Sequence, residues 1–472
     1  MKKYFVFIMV MALFLISGCQ KEQQVDQGEK IETKTVKVYK GEVNEPINLV
    51  PTTKPYISLT FNGMGDEQFT TQLLEGLAQQ KIKATFFLPA MRVAENPEIA
   101  KKIQDAGHEI ESNLLNDIDY EQLSYTALYK EVSLANQVFE EHLGITPQFV
   151  RTRSGEVNKD LLKIVAQLNM KRAVEAFINP LDRNMQGAEE IANYVNKYVT
   201  RGSVIMLNNG INPAVIEAIP LIADNAKQYQ YEFVTIEQLN QELGEIINPN
   251  DIESYNDIKV NANYENVTPR IFTTADVEQK EIALTFDDWA SEHTIINILD
   301  ILDKYQIKST FFLIGKGVEQ NPALAKLIVE RGHEVASHSY YHKNVTTMTT
   351  QEVQEDVVKA HKAITNAIQQ KPKLYFRPAE GIMTNEIAKM IIATGYEVVA
   401  LYDIASFDWN PELTTNEIVE RVMTRAKPGS VVVMHIMDNR KTAEALPIII
   451  EKLTAEGYDF KKMSDWIESE VQ

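Results

Sequence analysis

Five short segments in the second half of the chain carry acidic and basic side chains of the types that hydrolytic enzymes use. The segments are Asp287-Asp288, His338 with His342, Arg377, Asp408 with Trp409, and His435. Each of them directly follows a short apolar run of the kind that forms a β-strand. In an α/β barrel the carboxyl ends of the strands meet at one mouth, where catalytic groups lie. We therefore expect the five segments to converge on one site.

Asp288, His338 and His342 are plausible ligands of a metal ion. Two histidines four positions apart can share one face of a helical turn, and a carboxylate from a neighbouring strand end completes a set of three. Three protein ligands leave one position open, as in catalytic zinc sites, where the ion activates water and polarises a carbonyl. The spacing alone is weak evidence and favours surface histidines over a metal site. Its coincidence with the Asp pair favours the metal site.

Three further residues provide acid–base chemistry beside the proposed ligands. Asp287 adjoins a ligand but points elsewhere, so its carboxylate is free to act as a general base. His435 can protonate a departing amine, and Asp408 can orient the imidazole and favour its protonated form. The arrangement predicts hydrolysis.

The composition limits the class of protein. The 472 residues are too many for one ordinary core, and 44% hydrophobic with 24% charged residues is typical of soluble globular domains. With 47 Lys and Arg against 66 Asp and Glu, the net charge is −19, which argues against nucleic acid as a partner. Because the only cysteine is Cys19, any metal site must use histidines and carboxylates.

The chain contains a tandem duplication. At an offset of 225 residues, Thr85-Phe86-Phe87-Leu88 matches Thr310-Phe311-Phe312-Leu313, and Gly107-His108-Glu109 matches Gly332-His333-Glu334. After a small shift Arg151 matches Arg377. Residues shared by both copies are interpreted as scaffold, and part of the role of Arg377 is then structural as well.

The first copy lacks the polar cluster of the second. The matched replacements are Asn62-Gly63 for Asp287-Asp288, Asn113 for His338, Asp117 for His342 and Asn208 for His435. A single carboxylate does not hold a metal tightly. We therefore expect one catalytic metal per chain, in the second copy, and a first copy that serves a structural or substrate-positioning role.

Strand-like and helix-like segments alternate in both copies, which predicts an α/β fold. A closed or distorted barrel is favoured over an open doubly wound sheet, because no Gly-rich nucleotide loop follows the first strand. The predicted organisation is a lipoprotein signal peptide over 1–19, a tether over 20–54, a degenerate barrel over 55–245, a linker over 246–279 and a catalytic barrel over 280–472.

The motifs resemble those of polysaccharide deacetylases of the NodB-homology class, carbohydrate esterase family 4. They are Thr285-Phe286-Asp287-Asp288, His338-Ser339-Tyr340-Tyr341-His342 and Val433-Met434-His435. The resemblance covers most of 280–472 and, in degenerate form, 55–245. It implies tandem distorted (β/α) barrels that remove N-acetyl or O-acetyl groups from a polysaccharide with a divalent metal, often zinc. Asp287 would be the base, Asp288, His338 and His342 the ligands, His435 the acid, and Arg377 and Asp408 the residues that tune base and acid.

The chain departs from the family pattern at the groove wall. Trp289 stands where Gly usually follows the Asp pair, and the Arg-Pro-Pro-aromatic-Gly stretch is present as Arg377-Pro378-Ala379-Glu380-Gly381. The backbone N–H at Glu380 can still serve the oxyanion. The expected substrate pocket comprises Trp289, Tyr341, Glu380, Trp409 and Met434. Packing in the core is an equally weighted alternative for Trp289 and Trp409.

The N-terminus is typical of an export signal. Lys2-Lys3 precede an apolar run from Tyr4 to Ile16, and Ile16-Ser17-Gly18-Cys19 resembles a bacterial lipobox, in which the Cys carries diacylglycerol. A transmembrane anchor is the less favoured alternative, because the run is short of the roughly 20 residues that span a bilayer. We expect a lipid-anchored protein on the outer face of a bacterial cell membrane, acting on wall glycan. The open alternatives are a non-catalytic glycan-binding lipoprotein and a metallohydrolase of another amide.

Overall fold

Two parallel β-sheets, one from each half of the chain, form the framework on which the helices pack. The computed structural model describes residues 36–116, 118–244 and 247–469. The predicted signal peptide with Cys19, residues 20–35 of the predicted tether, and Asp117 lie outside the described residues. Among the helices that are described, none combines the length and the apolar character needed to cross a membrane.

The elements of the first half alternate as the sequence predicts. They are β1 (Tyr56–Asn62), α1 (Glu67–Gln79), β2 (Thr85–Leu88), α2 (Ala90–Glu95), α3 (Pro97–Asp105), β3 (Glu109–Ser112), α4 (Tyr125–Leu143), β4 (Phe149–Val150), α5 (Lys159–Gln167), β5 (Arg172–Ala173), α6 (Ala188–Tyr198), β6 (Val204–Asn208), α7 (Ala214–Gln228), β7 (Glu232–Phe233) and α8 (Ile236–Asn240).

The second half repeats this order and adds strands at its edges. Its elements are β8 (Ile271–Phe272), β9 (Glu281–Asp288), α9 (Glu292–Lys304), β10 (Thr310–Leu313), α10 (Gly315–Gln320), α11 (Pro322–Glu330), β11 (Glu334–Ser337), α12 (Thr350–Ile368), β12 (Tyr375–Phe376), α13 (Asn385–Ile392), β13 (Val398–Ala400), β14 (Ile404–Ala405), α14 (Thr415–Met423), β15 (Ser430–Ile436), α15 (Thr442–Ala455), β16 (Asp459–Phe460) and α16 (Met463–Ile467).

Both sheets curl into distorted barrels. The strand order is β5-β4-β3-β2-β1-β6 in the first sheet and β14-β15-β9-β10-β11-β12-β13-β8 in the second, and β7 and β16 pair with β1 and β9. Strand β13 ends at Ala400 and β14 begins at Ile404, although the two strands lie at opposite ends of the order. The sheet must therefore curl until its two ends approach. The predicted α/β fold with two tandem distorted barrels is confirmed.

The scaffold residues shared by the two copies make equivalent contacts. The Nδ1 atoms of His108 and His333 each accept a hydrogen bond of 3.1 Å, from the backbone N–H groups of Ala84 and Ser309. Burial lowers the pKa of both imidazoles to about 4, so they stay neutral. Their interpretation as scaffold is consistent with this neutral, buried role.

The two barrels meet at a buried ion pair. Glu292, at the start of α9, accepts hydrogen bonds from the Nε atom of Arg201 at 2.9 Å and from its backbone N–H at 2.8 Å. Thr200 donates its hydroxyl to the same carboxylate and accepts a bond from Asn321 at 2.6 Å. A charge pair this well enclosed fixes the first barrel against the start of α9.

The predicted boundary between tether and first barrel is wrong. Ile47 and Val50 are buried in the first barrel, and Ile47 bridges to Val174 beside β5. Their apolar side chains pack at the edge of the sheet. The sequence analysis did not recognise this, because isolated apolar residues in a polar stretch show no periodicity. The chain is therefore packed from well before residue 55.

The predicted linker over 246–279 is also wrong as a free connection. It contains β8, which pairs with β13, and it buries Ile252, Ile258 and Phe272. The segment therefore completes the sheet and core of the second barrel. Short strands of two residues carry too little periodicity to be recognised from sequence.

Candidate active site

The ends of adjacent parallel strands bring the acidic and basic residues together. Strand β9 pairs with β15 so that Asp287 lies opposite His435, and with β10 so that Asp288 lies opposite Leu313. His338 follows β11 directly, which is the next strand in the order. The common direction of the strands thus assembles the site at one edge, as the sequence predicts.

Asp288, His338 and His342 form a cluster whose ligand atoms lie within 4.8 Å of one another. Asp288 Oδ1 is 3.6 Å from His338 Nε2 and 3.4 Å from His342 Nε2. The same oxygen is buried without any hydrogen-bond partner among the described residues. An orphaned buried carboxylate oxygen facing two imidazole nitrogens fits a divalent cation, because a bound cation would satisfy all three atoms.

The second nitrogen of His338 fixes the orientation of its ring. Nδ1 lies 2.8 Å from the backbone carbonyl of Arg377, so this nitrogen carries the proton and Nε2 presents its lone pair to the cluster. Burial lowers the pKa of His338, against the opposing effect of the two carboxylates. The imidazole is therefore held neutral, the form that binds metal.

The ligands depend on unusual backbone conformations. Asp288, Ser339 and His342 have φ angles of 85°, 66° and 53°, in the left-handed region that non-glycine residues avoid. At the position matched to Asp288 the first barrel has Gly63, with φ 84°, so the same turn is formed there without strain. Strain of this kind is often found at functional sites.

The predicted helical turn between the two histidines is wrong. Residues 338–342 form a loop, and its backbone is held by the carboxylate of Asp356 on α12. Asp356 accepts hydrogen bonds from the N–H groups of Tyr340 at 2.7 Å and Tyr341 at 3.1 Å. Asp356 could not be recognised from its residue type or spacing, because its partner is a loop backbone rather than a side chain.

Asp287 is buried beside the cluster and is paired with a buried arginine. Its Oδ1 accepts a hydrogen bond of 2.6 Å from Arg377, and its Oδ2 is 3.8 Å from His338 Nε2. Burial lowers the pKa of Arg377, and the charge of Asp287 opposes that effect. The geometry leaves Oδ2 as the oxygen that faces the site.

Arg377 makes hydrogen bonds both to the framework of the barrel and to the site. It donates to the Ala400 carbonyl and the Thr285 hydroxyl, and Arg151 makes the matching bonds to Val174 and Thr60 in the first barrel. In the second barrel, Arg377 also donates a hydrogen bond to Asp287.

His435 and Asp408 form a second hydrogen-bonded pair on the opposite side of Asp287. His435 Nδ1 lies 2.7 Å from Asp408 Oδ1, and the His435 backbone N–H donates to Asp408 Oδ2 at 2.8 Å. Burial alone lowers the pKa of His435, but the bond to Asp408 and the nearby carboxylate charges outweigh it and raise that pKa. Burial raises the pKa of Asp408, but its hydrogen bonds outweigh burial, and the pKa is lower than usual. The pair favours an imidazolium with a free Nε2–H.

The three candidate metal ligands, together with Asp287 and His435, line a cavity of about 480 Å³. Of the predicted pocket residues, Glu380 and Trp409 lie on its wall, and Trp409 is 46% exposed. Glu380 has a φ of 60°, in the left-handed region. The cavity also contains residues that the sequence analysis missed, namely Tyr402, Ala405, Phe407, Val433 and Met437.

Three predicted pocket residues lie elsewhere. Met434 is fully buried in the core, because side chains alternate along β15 and those of Val433 and His435 face the cavity. Trp289 packs on the core of the second barrel against Gly317, where a Cβ atom would lie 2.3 Å from the indole. Tyr341 lies on a separate depression and accepts a hydrogen bond of 3.0 Å from Lys359. The prediction that these three line the pocket is wrong.

The first barrel contains equivalents of two hydrogen bonds of the site, made there by asparagines instead of histidines. Asn113 donates to the Arg151 carbonyl at 2.8 Å, where His338 contacts the Arg377 carbonyl, and Asn208 donates to Asp182 at 2.8 Å, where His435 contacts Asp408. Asparagine amides thus replace the imidazole donors. Among the described residues, the cluster of the second barrel is the one group of three histidine or carboxylate side chains close enough together to hold a metal ion. Asp182 was missed by the sequence analysis.

The family model described as "Polysaccharide deacetylase" matches residues 50–173 and 274–399. A peptidoglycan-N-acetylmuramic acid deacetylase of Bacillus subtilis, PdaA, is 29% identical over 196 residues, which are 41% of this chain and 74% of that protein. A peptidoglycan-N-acetylglucosamine deacetylase of Listeria monocytogenes, PgdA, is 33% identical over 193 residues, 41% of this chain and 40% of that protein. The solved structure of PdaA, described as a family 4 carbohydrate esterase, aligns at 27% identity with a TM-score of 0.40, covering 42% of this chain and 86% of that one.

Proposed function

The chain belongs to the polysaccharide deacetylase family, and from this premise we propose that its second barrel hydrolyses the N-acetyl groups of an amino sugar in a bacterial cell-wall polysaccharide. One observation carries the proposal: a possible divalent-metal triad, a buried carboxylate and a carboxylate-paired histidine face one cavity. Hydrolysis of an amide requires all three, because water must be activated, the carbonyl polarised and the amine protonated.

The residues divide the proton transfers between two sides of the cavity. A divalent cation held by Asp288, His338 and His342 would supply Lewis acidity towards the acetyl carbonyl and the attacking water. Asp287 takes a proton from the water as its oxygen bonds to the carbonyl carbon. His435 then donates its Nε2 proton to the sugar nitrogen as the C–N bond breaks. The products are acetate and a free amine.

Neighbouring groups hold the base and the acid in place. Arg377 donates a hydrogen bond of 2.6 Å to Oδ1 of Asp287, which leaves Oδ2 facing the site. Asp408 holds the His435 imidazole through Nδ1 and raises its pKa, so a proton is present on Nε2 for the leaving nitrogen. We infer that the backbone N–H of Glu380, a residue on the cavity wall, donates towards the developing oxyanion.

The metal is proposed to be zinc. Two imidazole nitrogens and one carboxylate oxygen are the donor types of catalytic zinc sites, which keep a further position open for substrate or water. The exposure of His342 leaves one side of the cluster accessible from the cavity. Dialysis against a chelator should abolish acetate release, and re-addition of Zn²⁺ should restore it more fully than Mg²⁺ or Ca²⁺.

The proposed substrate follows from the relatives. Among them are deacetylases named for both N-acetylglucosamine and N-acetylmuramic acid in peptidoglycan. The test is acetate release from purified wall glycan by the full chain, with Asp287→Asn as the matched inactive variant. Release by the unaltered chain alone supports the proposal. Binding without release favours a glycan-binding lipoprotein, and release from a non-glycan acetamide alone favours a different metallohydrolase.

The proposed location is the outer face of the bacterial cell membrane, through a lipid on Cys19. Support comes from the charged start, the short apolar run and the Ile16-Ser17-Gly18-Cys19 sequence. Cys19→Ser should leave the protein unprocessed or release it from membranes. Equal detergent partitioning and an uncut N-terminus in both forms would support a transmembrane anchor instead.

A further inference from the structure

A groove of about 680 Å³ lies between the two barrels, next to the catalytic cavity. The first barrel contributes Asn196, Lys197 and Tyr229 to its walls, and the second barrel contributes His293 and residues 437–440, 442 and 443. Met437 lines both the groove and the catalytic cavity. Thr442, also on the groove, donates a hydrogen bond of 2.6 Å to Asp408. The two spaces therefore share one wall.

Positive charge exceeds negative charge in the groove, although the chain as a whole is acidic. Of its two carboxylates, Glu292 is neutralised by Arg201. Asp438 accepts bonds from the hydroxyls of Ser291 at 2.6 Å and Thr294 at 2.5 Å, which orient the carboxylate but leave its charge in place. Lys197 and Arg440 form no ion pair with any residue in the described part of the chain. Among the described residues of the groove, two cations without an ion-pair partner thus stand against one such carboxylate, and this balance favours an anionic ligand.

The groove also has an aromatic surface and unused polar atoms. Tyr229 is half-buried there, and its ring packs edge-on against His293 at 4.8 Å between centroids. Asn196 Oδ1 and Arg440 Nε are buried and have no hydrogen-bond partner among the described residues. Buried polar atoms are normally paired, so these two indicate hydrogen-bonding capacity that the protein itself leaves unfilled.

We propose that this groove binds the continuation of the glycan strand whose acetylated sugar occupies the catalytic cavity, and that it selects strands bearing carboxylate substituents. A sugar ring would pack on Tyr229, and a carboxylate would pair with Lys197 and Arg440. The inference rests on the proposed function for the identity of the strand. In this proposal the first barrel contributes to substrate binding through Lys197 and Tyr229, and this role requires no metal ligand in that barrel.

The test is equilibrium binding of the full chain to soluble peptidoglycan strands with free carboxyl groups, and to the same strands after amidation of those groups. Lys197→Gln with Arg440→Gln should weaken binding to the free-carboxyl strands about tenfold. The double variant should bind amidated strands as the unaltered chain does. The matched control is Lys227→Gln, an exposed lysine of the same barrel that does not line the groove.

Tyr229→Ala provides a second, charge-independent probe, and it should weaken binding to both kinds of strand. Unchanged affinity in the double variant and in Tyr229→Ala overturns the proposal, and an equal loss for amidated strands overturns its carboxylate selectivity. Acetate release is measured separately. If the unaltered chain releases no acetate but the variants lose binding, the groove proposal is supported and the proposed deacetylation is refuted. If the unaltered chain releases acetate and the variants bind normally, only the groove proposal is refuted.

Discussion

The buried ion pair between the barrels provides a quantitative test of how the first barrel supports the second. The side chains of Arg201 and Glu292 are only 6% and 7% exposed, and Nη2 of the arginine is 2.9 Å from Oε1 of the glutamate. Removal of one partner from a buried pair leaves an uncompensated charge, which costs about 3–5 kcal/mol. Arg201→Met should therefore lower the free energy of unfolding by about that amount, a large part of the ~5–15 kcal/mol of a typical domain.

The neutral double variant separates the charge effect from the packing effect. Arg201→Met with Glu292→Leu removes both charges, so it should be more stable than Arg201→Met alone by ~2 kcal/mol or more. The control is Lys163→Ala, which breaks a partly exposed pair with Asp160 at 3.1 Å and should cost at most about 1 kcal/mol.

Urea unfolding at neutral pH measures these free energies with two probes. The three tryptophans, Trp289, Trp409 and Trp466, all lie in the second barrel, so their fluorescence reports that barrel, whereas far-UV circular dichroism reports both. If the two curves coincide, unfolding is two-state and a single free energy of unfolding describes the chain. If the curves separate, the barrels unfold independently. The reasoning fails if Arg201→Met costs less than about 1 kcal/mol, or if the double variant is less stable than both single variants.

Three further predictions concern the active site. Asp408→Asn should lower the pKa of His435, so the alkaline limit of acetate release moves to lower pH; an unchanged pH profile would exclude Asp408 as the group that sets it. Because the folded pKa of His435 is raised, its stabilising contribution is complete below about pH 6.5, the unperturbed value, and is lost as pH rises through the folded pKa. Elemental analysis should find one divalent metal per chain, absent in His338→Ala and retained in Asn113→Ala, and two metals per chain would contradict the pseudo-enzyme interpretation of the first barrel. Asp356→Asn should weaken metal affinity about tenfold in a chelator competition, since it loosens the ligand loop, and unchanged affinity would show that the loop is held by other contacts.

Alternation along a strand explains one error of the sequence analysis. Met434 was placed in the pocket because it adjoins His435, yet neighbours on a strand face opposite sides. Once His435 is assigned to the cavity, Val433 and Met437 are the residues to expect there, and both line it. The information was present in the sequence, but a resemblance between motifs does not show which neighbour shares a face.

Local sequence determined the duplication, the order of strands and helices, and the residues that meet at the strand ends. Such features depend on periodicity and on the common direction of parallel strands, which act within a few residues or through a repeated pattern. The loss of the cluster from the first copy could also be recognised from the sequence, because the two copies in one chain can be compared position by position.

Only the tertiary structure decided which distant groups became partners. Asp356 holds the ligand loop, Glu292 joins the barrels, and Trp289 fills the space beside Gly317 instead of contacting substrate. None of these contacts follows from residue type, because a carboxylate or an indole suits many environments equally well. The choice depends on which surfaces the folded barrels bring within a few ångströms, and burial then makes an unpaired charge or an unfilled space too costly to keep.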